Sequence, residues 1–200
     1  MRLHIGSGPI TLPGWTNVDI APLPGVDVVL DIRQPWPFRD VELIFAEHFI
    51  EHLSLVDGHN FFHASRGALC ASGVLRVSTP NLDWVWVTHY KLPDETTVSE
   101  QMAGCLEINR AFHGWGHRFL YNRAMLELSL RAAGFAHVEE KSYGESDHPL
   151  LRNLERHEQH MDHPAAPSVV ILEAFGVTTP SAEFASRIEP YQRDFAISPT

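Results

Sequence analysis

The chain has 200 residues, 44% of them hydrophobic and 20% charged, which is enough for one globular domain with a core of its own. Its formal net charge is -10, and its few basic residues, mostly Arg, form no run or stripe, so nucleic acid and other polyanions are disfavoured as partners. No apolar run approaches the ~20 residues that cross a bilayer, and the start "MRLHIGSG" lacks the apolar stretch of a signal peptide; the expectation is a cytoplasmic protein without membrane contact.

Four short β-rich runs come early: "RLHI" (2–5), "TNVDI" (16–20), "DVVLDI" (27–32) and "LIFA" (43–46), each bounded by Gly, Pro or Asp. Ser54, with Asp57 three residues on, then opens a helix whose Leu55, Val56, Phe62 and Leu69 make an apolar stripe that Gly73 stops. "GVLRVSTP" (73–80) reads as a fifth strand. The interval 81–121 has poor periodicity and many aromatic, His and Gly residues, and so long an irregular segment usually carries function. Asn122 caps a second helix, "RAMLELSLRAA", that ends at Gly134; "HVEEKSY" (137–143) and "SVVILEAF" (168–175) are its partner strands. Residues 177–200 have weak periodicity and read as a tail.

Strands alternating with helices predict an α/β, Rossmann-like three-layer sandwich. One domain is expected over 1–176, with 81–121 as an insertion covering the substrate. Only ten residues separate the first two strands and six the next two, with Pro9, Pro13, Pro22 and Pro24 among them. A parallel crossover normally takes a dozen or more, so the first two crossover helices are expected to be shortened or absent. Cys70 and Cys105, the only cysteines, are too few for a zinc or disulfide framework and are expected as small buried hydrophobes.

In open parallel sheets, ligands sit beyond the carboxyl ends of the strands, where Gly admits close approach and an acidic residue takes ribose hydroxyls. The first strand ends in "IGSG", with Gly6 and Gly8, and Asp19 and Asp31 stand at the tips of the second and third. A lone G-x-G is commonly just a turn and a strand-terminal Asp a cap; shared position at successive strand ends is what joins them. In "LHIGSGPITLPGWTNVDI", "VDVVLDIRQPWPF", "IFAEHFIEHL" and "GVLRVSTPN", followed by "GHRFLYNRAMLELSLRAAGFAHVEE" and "SVVILEAF", the chain resembles the class I S-adenosylmethionine-dependent methyltransferases, especially their small bacterial type 11-like group. The resemblance implies a mostly parallel seven-stranded sheet with an antiparallel last strand, and S-adenosyl-L-methionine as cofactor. It places Gly6, Ser7 and Gly8 at the methionine end, Asp19 and Ile20 at the ribose, Asp31 and Ile32 at the adenine, and Glu47 and His48 beside the cofactor at the end of the fourth strand.

Methyl transfer mainly needs alignment and, for a hydroxyl acceptor, removal of a proton, which suits His. His113 and His117 in "FHGWGHRFLY" are the catalytic candidates, Trp115 and Tyr121 candidate pocket walls, and His52 a further substrate contact; His89 and Tyr90 are weaker options. The expected acceptor is a small molecule or a glycan, and a second subunit, making a homo-oligomer, is one way to cover the pocket. A catalytically silent cofactor-binding protein is the alternative. A third reading is a zinc hydrolase, because His48-Phe49-Ile50-Glu51-His52 spells the H-x-x-E-H pattern of inverted zinc proteases, which needs all three residues on one helix. That stretch follows directly on a strand, so no metal is expected. His157, His160 and His163 are expected in a solvated loop or helix end.

Overall fold

A computed structural model describes residues 1–157 and 159–195. The strands are β1 (Arg2–Ile5), β2 (Thr16–Asp19), β3 (Val28–Val29), β4 (Val41–Glu47), β5 (Leu69–Pro80), β6 (His137–Glu140) and β7 (Val169–Phe175). They form a seven-stranded sheet in the order β3-β2-β1-β4-β5-β7-β6. β1 to β5 pair in parallel, and β7 runs antiparallel to both β5 and β6, which is the Rossmann-like sheet expected from the sequence.

β4 carries the reason for that architecture. Of its seven residues only Glu42 is exposed, the near-continuous apolar run of a strand covered on both faces. Alternate side chains point opposite ways: Ile44 and Ala46 join Leu3, Val18, Phe61 and Leu130 in the main core, while Leu43 and Phe45 join Leu12, Trp15, Leu151 and Leu154 in a smaller one. The main core is closed by α1 (Leu55–Ala68) and α4 (Arg123–Ala132).

No helix forms between β1 and β2 or between β2 and β3, as the short Pro-containing links predict. The smaller core takes its cover from loops instead: Leu12 and Trp15 from the first link, Leu151 and Leu154 from the segment around a 3-10 turn at Pro149–Leu151. Buried Asn17 holds the first link against the sheet. Its Oδ1 accepts from Leu12 N at 2.8 Å, and its Nδ2 donates to Trp15 O at 3.3 Å.

Ser54 caps α1 as its spacing predicts, accepting from Asp57 N at 3.1 Å. The helix ends at Ala68, however, and β5 starts at Leu69, short of Gly73. Register slips between the Val41–Leu69 and Leu43–Val74 pairs. A Cβ on Gly73 would lie 2.8 Å from Val41 O, so this glycine marks a bulge and not a helix stop.

Residues 81–121 are mostly helical, contrary to their irregular pattern: α2 (Leu82–His89), a 3-10 turn at Pro93–Glu95, and α3 (Val98–His113). Thr97 and Glu100 form a full capping box at the start of α3. Val98, Met102 and Leu106 on α3 are exposed, so the helix has no core-facing stripe for the sequence to betray. The stretch expected as a tail contains α5 (Ala182–Phe195); residues 196–200 lie outside the described residues. The cysteines are not buried: Cys70 is half-exposed in the irregular first part of β5, and Cys105 is exposed on α3. Among the described residues no helix is long and apolar enough to cross a membrane.

Candidate functional site

The sheet order reverses direction between β1 and β4, whose carboxyl ends make the crevice where open α/β sheets bind ligands. At the end of β1 the chain turns through Gly6 (φ +66°) and Gly8 (φ +53°), a left-handed backbone that only glycine takes at little cost. A Cβ on Gly6 would overlap the ring of Phe49, whereas Gly8 faces open space. Ser7 between them is buried. The turn is anchored to β2: Gly6 N donates to Val18 O at 2.9 Å.

Asp19 closes the same turn. Its Oδ2 accepts from Gly8 N at 2.8 Å and its Oδ1 from Ala21 N at 2.9 Å. Each carboxylate oxygen has two acceptor sites, so capacity for a diol remains. Ile20 beside it is 61% exposed, an apolar surface next to a carboxylate. Asp31 forms a two-pronged pair with Arg33, Nε to Oδ1 at 2.8 Å and Nη2 to Oδ2 at 2.7 Å, and that pairing holds its carboxyl below the ordinary range. Ile32 is half-buried against the core and its carbonyl accepts from Trp36 Nε1 at 2.9 Å.

At the end of β4 the structure corrects one expectation. Glu47 is buried and engaged by the chain itself: its oxygens accept from Arg156 N (2.9 and 3.0 Å) and His157 N (3.1 Å), and His157 Nδ1 lies 3.2 Å away. Burial alone would raise this carboxyl, but the His157 and backbone donors outweigh it and hold it below its ordinary value. The same pairing raises His157 against its partial desolvation. Glu47 therefore ties the 156–157 loop to the strand tip and has little left for a cofactor. His48 follows in a left-handed conformation (φ +46°), rare for a non-glycine residue, with its ring stacked on His157 at 4.4 Å.

His48, Glu51 and His52 do not share a helix. His48 follows the strand end and only Ile50–His52 makes a single 3-10 turn, so the arrangement of an inverted zinc protease is not formed. Glu51 is fully buried; its Oε2 accepts from Thr79 Oγ1 at 2.9 Å, and its Oε1 lies 3.3 Å from His48 Nδ1. Its carbonyl accepts from Arg118 N (2.7 Å) and Phe119 N (3.2 Å). These two bonds bring His117 to His52, with ring centroids 5.1 Å apart. Desolvation lowers His117 below the ordinary imidazole value, against the opposing effect of its bond to Ala111 O.

The other candidates scatter. His113, the last residue of α3, is exposed, and among the described residues its side chain has no hydrogen bond or ion pair. Trp115 is exposed beneath Arg110, 4.8 Å from its ring, and sits 5.8 Å from His117. Tyr121 is fully buried within the main core, so it is no pocket wall in this conformation. His89 packs edge-on against Trp84 and Tyr90 stacks on Trp86. His160 stacks on the same Trp84 ring at 5.5 Å, and His163 Nδ1 accepts from Ala165 N; both anchor their loop. Two open pockets of about 610 and 380 Å³ lie at the β6–β7 side of the sheet, lined from residues 140–153 and 140–171, and neither is lined by Gly6–Gly8, Asp19 or Asp31.

This fold has counterparts among solved structures. The S-adenosylmethionine-dependent methyltransferase SibL in its apo form matches with a TM-score of 0.53 at 14% identity, over 88% of this chain and 50% of that one. The chain has the fold of the S-adenosylmethionine-dependent methyltransferases. PigF with SAH gives 0.52 at 15% identity over 87% and 50%, and a possible exported protein from Bordetella parapertussis 0.53 at 11% over 88% and 62%. The chain thus spans about half to three-fifths of the length of these structures. No protein-family model matches the sequence, and no curated protein matches it. The likeness reaches the fold and not the type 11-like subgroup.

Proposed function

We propose that the protein is an S-adenosylmethionine-dependent methyltransferase that methylates a hydroxyl of a small-molecule or sugar-like acceptor. The observation that carries the proposal is the left-handed turn Gly6-Ser7-Gly8 at the switch point, clamped by the Asp19 carboxylate and open above Gly8. Gly6 and Gly8 let a ligand approach the backbone, Asp19 keeps acceptor sites for a ribose diol, and Ile20 and Ile32 offer apolar surface for a flat base. When bound, the cofactor supplies an electrophilic methyl group on a sulfonium. The chain itself has to align the acceptor and take its proton. His117 suits the second of these roles, because donation from Nδ1 to Ala111 O at 2.6 Å leaves the lone pair on Nε2, and burial keeps the ring neutral near pH 7. His113 and Trp115, on the exposed segment beside it, are the residues assigned in this reading to meet an acceptor.

Titration calorimetry with S-adenosylhomocysteine tests the reading. Wild type should bind, and Asp19→Ala should lose more than ~10-fold in affinity, since a hydrogen bond to a charged group contributes about 1.5–3 kcal/mol. No binding by the wild type, or equal binding by the variant, refutes it. Binding without turnover across hydroxyl acceptors would instead favour the catalytically silent alternative.

A further inference from the structure

Two imidazoles meet edge-on beside a buried carboxylate, and the methyl-transfer reading uses only one of the three, His117. We propose that Glu51, His52 and His117 form a binding site for one divalent transition-metal ion, with zinc as the ion that suits the donor set. One ligand atom from each of the three lies within 4.8 Å of the others. Bonds of roughly 2.1 Å to zinc place tetrahedral ligands about 3.4 Å apart, so the side chains need close by no more than about 1.4 Å. His52, the exposed member of the three, has solvent on its open side into which to turn.

Two further observations point to a ligand here. Glu51 is completely buried, yet among the described residues its Oε1 makes no hydrogen bond; His48 Nδ1 at 3.3 Å is within ionic reach but poorly aligned. A buried carboxylate oxygen without a partner is costly, and a cation is the partner that removes the cost. Second, His117 donates its Nδ1 proton to Ala111 O at 2.6 Å, which fixes the tautomer with its lone pair on Nε2. That is the outer-shell arrangement of metal-ligating histidines, as is the bond from Thr79 Oγ1 that orients the carboxylate. The Arg118 and Phe119 amides lock the His117 loop to the Glu51 turn, so the backbone brings the three residues together before any ion arrives. Two imidazoles and one carboxylate match zinc and leave a coordination position open.

The site itself does not rest on the methyl-transfer reading; only its use does. An ion on the Nε2 of His117 would take that ring out of the proton-accepting role; an acceptor hydroxyl in the open position would instead lose its proton to solvent, as metal-bound water does.

The test uses untagged full-length protein, stripped with EDTA, loaded with zinc chloride and passed through gel filtration without cofactor. Zinc per chain is measured by elemental analysis and affinity by calorimetry. His59 and His63, one turn apart on α1 with their Nε2 atoms 3.1 Å apart, are the rival zinc pair, so His59→Ala/His63→Ala is the control. One zinc should remain on wild type and on the control, and His52→Ala and His117→Ala should each bind at least ~100-fold more weakly, since loss of an outer-shell partner alone costs roughly 10–100-fold. His52→Ala, at an exposed position, decides the matter if His117→Ala unfolds. The proposal is overturned by a wild type that retains no zinc, by equal retention in His52→Ala, or by loss in the control instead. Because no cofactor is present, failure here leaves the methyl-transfer reading to its own experiment.

Discussion

Arg76 on β5 gives the sharpest test of how the site's loop is held. It is fully buried, its Nε and Nη2 each lie 2.7 Å from Glu155 Oε1, and its Nη1 donates to Glu173 Oε1 at 2.7 Å and to Glu145 O at 2.9 Å. Arg76→Met keeps the apolar stem but leaves two buried carboxylates without their shared cation. Breaking a buried ion pair from one side costs about 3–5 kcal/mol, and a chain of this size loses ~2–4 °C of Tm per kcal/mol, so the expected drop is roughly 6–20 °C. Circular dichroism melts at pH 7 measure it. Arg76→Met/Glu155→Gln/Glu173→Gln should recover most of the loss, because no charge is then stranded. Glu155 is followed directly by the two amides that bind Glu47, so amide exchange at Arg156 and His157 should quicken in the single variant. A drop below ~3 °C, the size expected of an exposed pair, would sink the reasoning.

Gly6→Ala should cost roughly 1–2 kcal/mol in left-handed strain alone, more through overlap with Phe49, and weaken S-adenosylhomocysteine binding in calorimetry; Gly67→Ala on α1, with nothing near its Cβ, should instead raise the Tm slightly. Ser54→Ala removes the cap on α1 and should cost about 1 kcal/mol in denaturant melts. His157 is raised in the folded state by Glu47, so its stabilising contribution is full below the ordinary imidazole value and fades as pH rises through the raised one. Melts of wild type against His157→Gln should converge across that window, and a difference that grows with pH would refute the pairing.

The parts legible in the sequence are those whose physics is local. Covered parallel strands show as apolar runs bounded by breakers, which is why β1 and β4 stand where "RLHI" and "LIFA" place them. The turn at Gly6 and Gly8 is a demand of the backbone itself, visible in residue type. α3 is hidden because Val98, Met102 and Leu106 face away from the core; only its capping box, Thr97 to Glu100, marks it. The role of Glu47 is hidden for a different reason: its partners, the amides of Arg156 and His157, lie more than 100 residues away in sequence, and no local pattern announces them. Tyr121 is obscured in the same way, since an aromatic in a His-rich segment reads as a wall until packing puts it in the core.

The same distinction governs His48 to His52. The spacing of H-x-x-E-H carries meaning only through a helix, where residues three and four apart share a face. Here the strand runs to Glu47 and His48 turns left-handed, so the periodicity never applies. What groups Glu51 and His52 with a third residue is instead the pair of amides, Arg118 and Phe119, that dock the chain after α3 onto the Glu51 carbonyl. A cluster built by docking leaves no fixed spacing, so His52 and His117 are each chemically apt in the sequence while their meeting is invisible there. Weakening that dock without touching either imidazole, as Phe119→Pro would by removing one amide donor, should therefore separate the two rings and abolish zinc retention while His52→Ala and His117→Ala remain the direct comparison; retention at wild-type level in Phe119→Pro would mean the cluster is held by something other than this backbone contact.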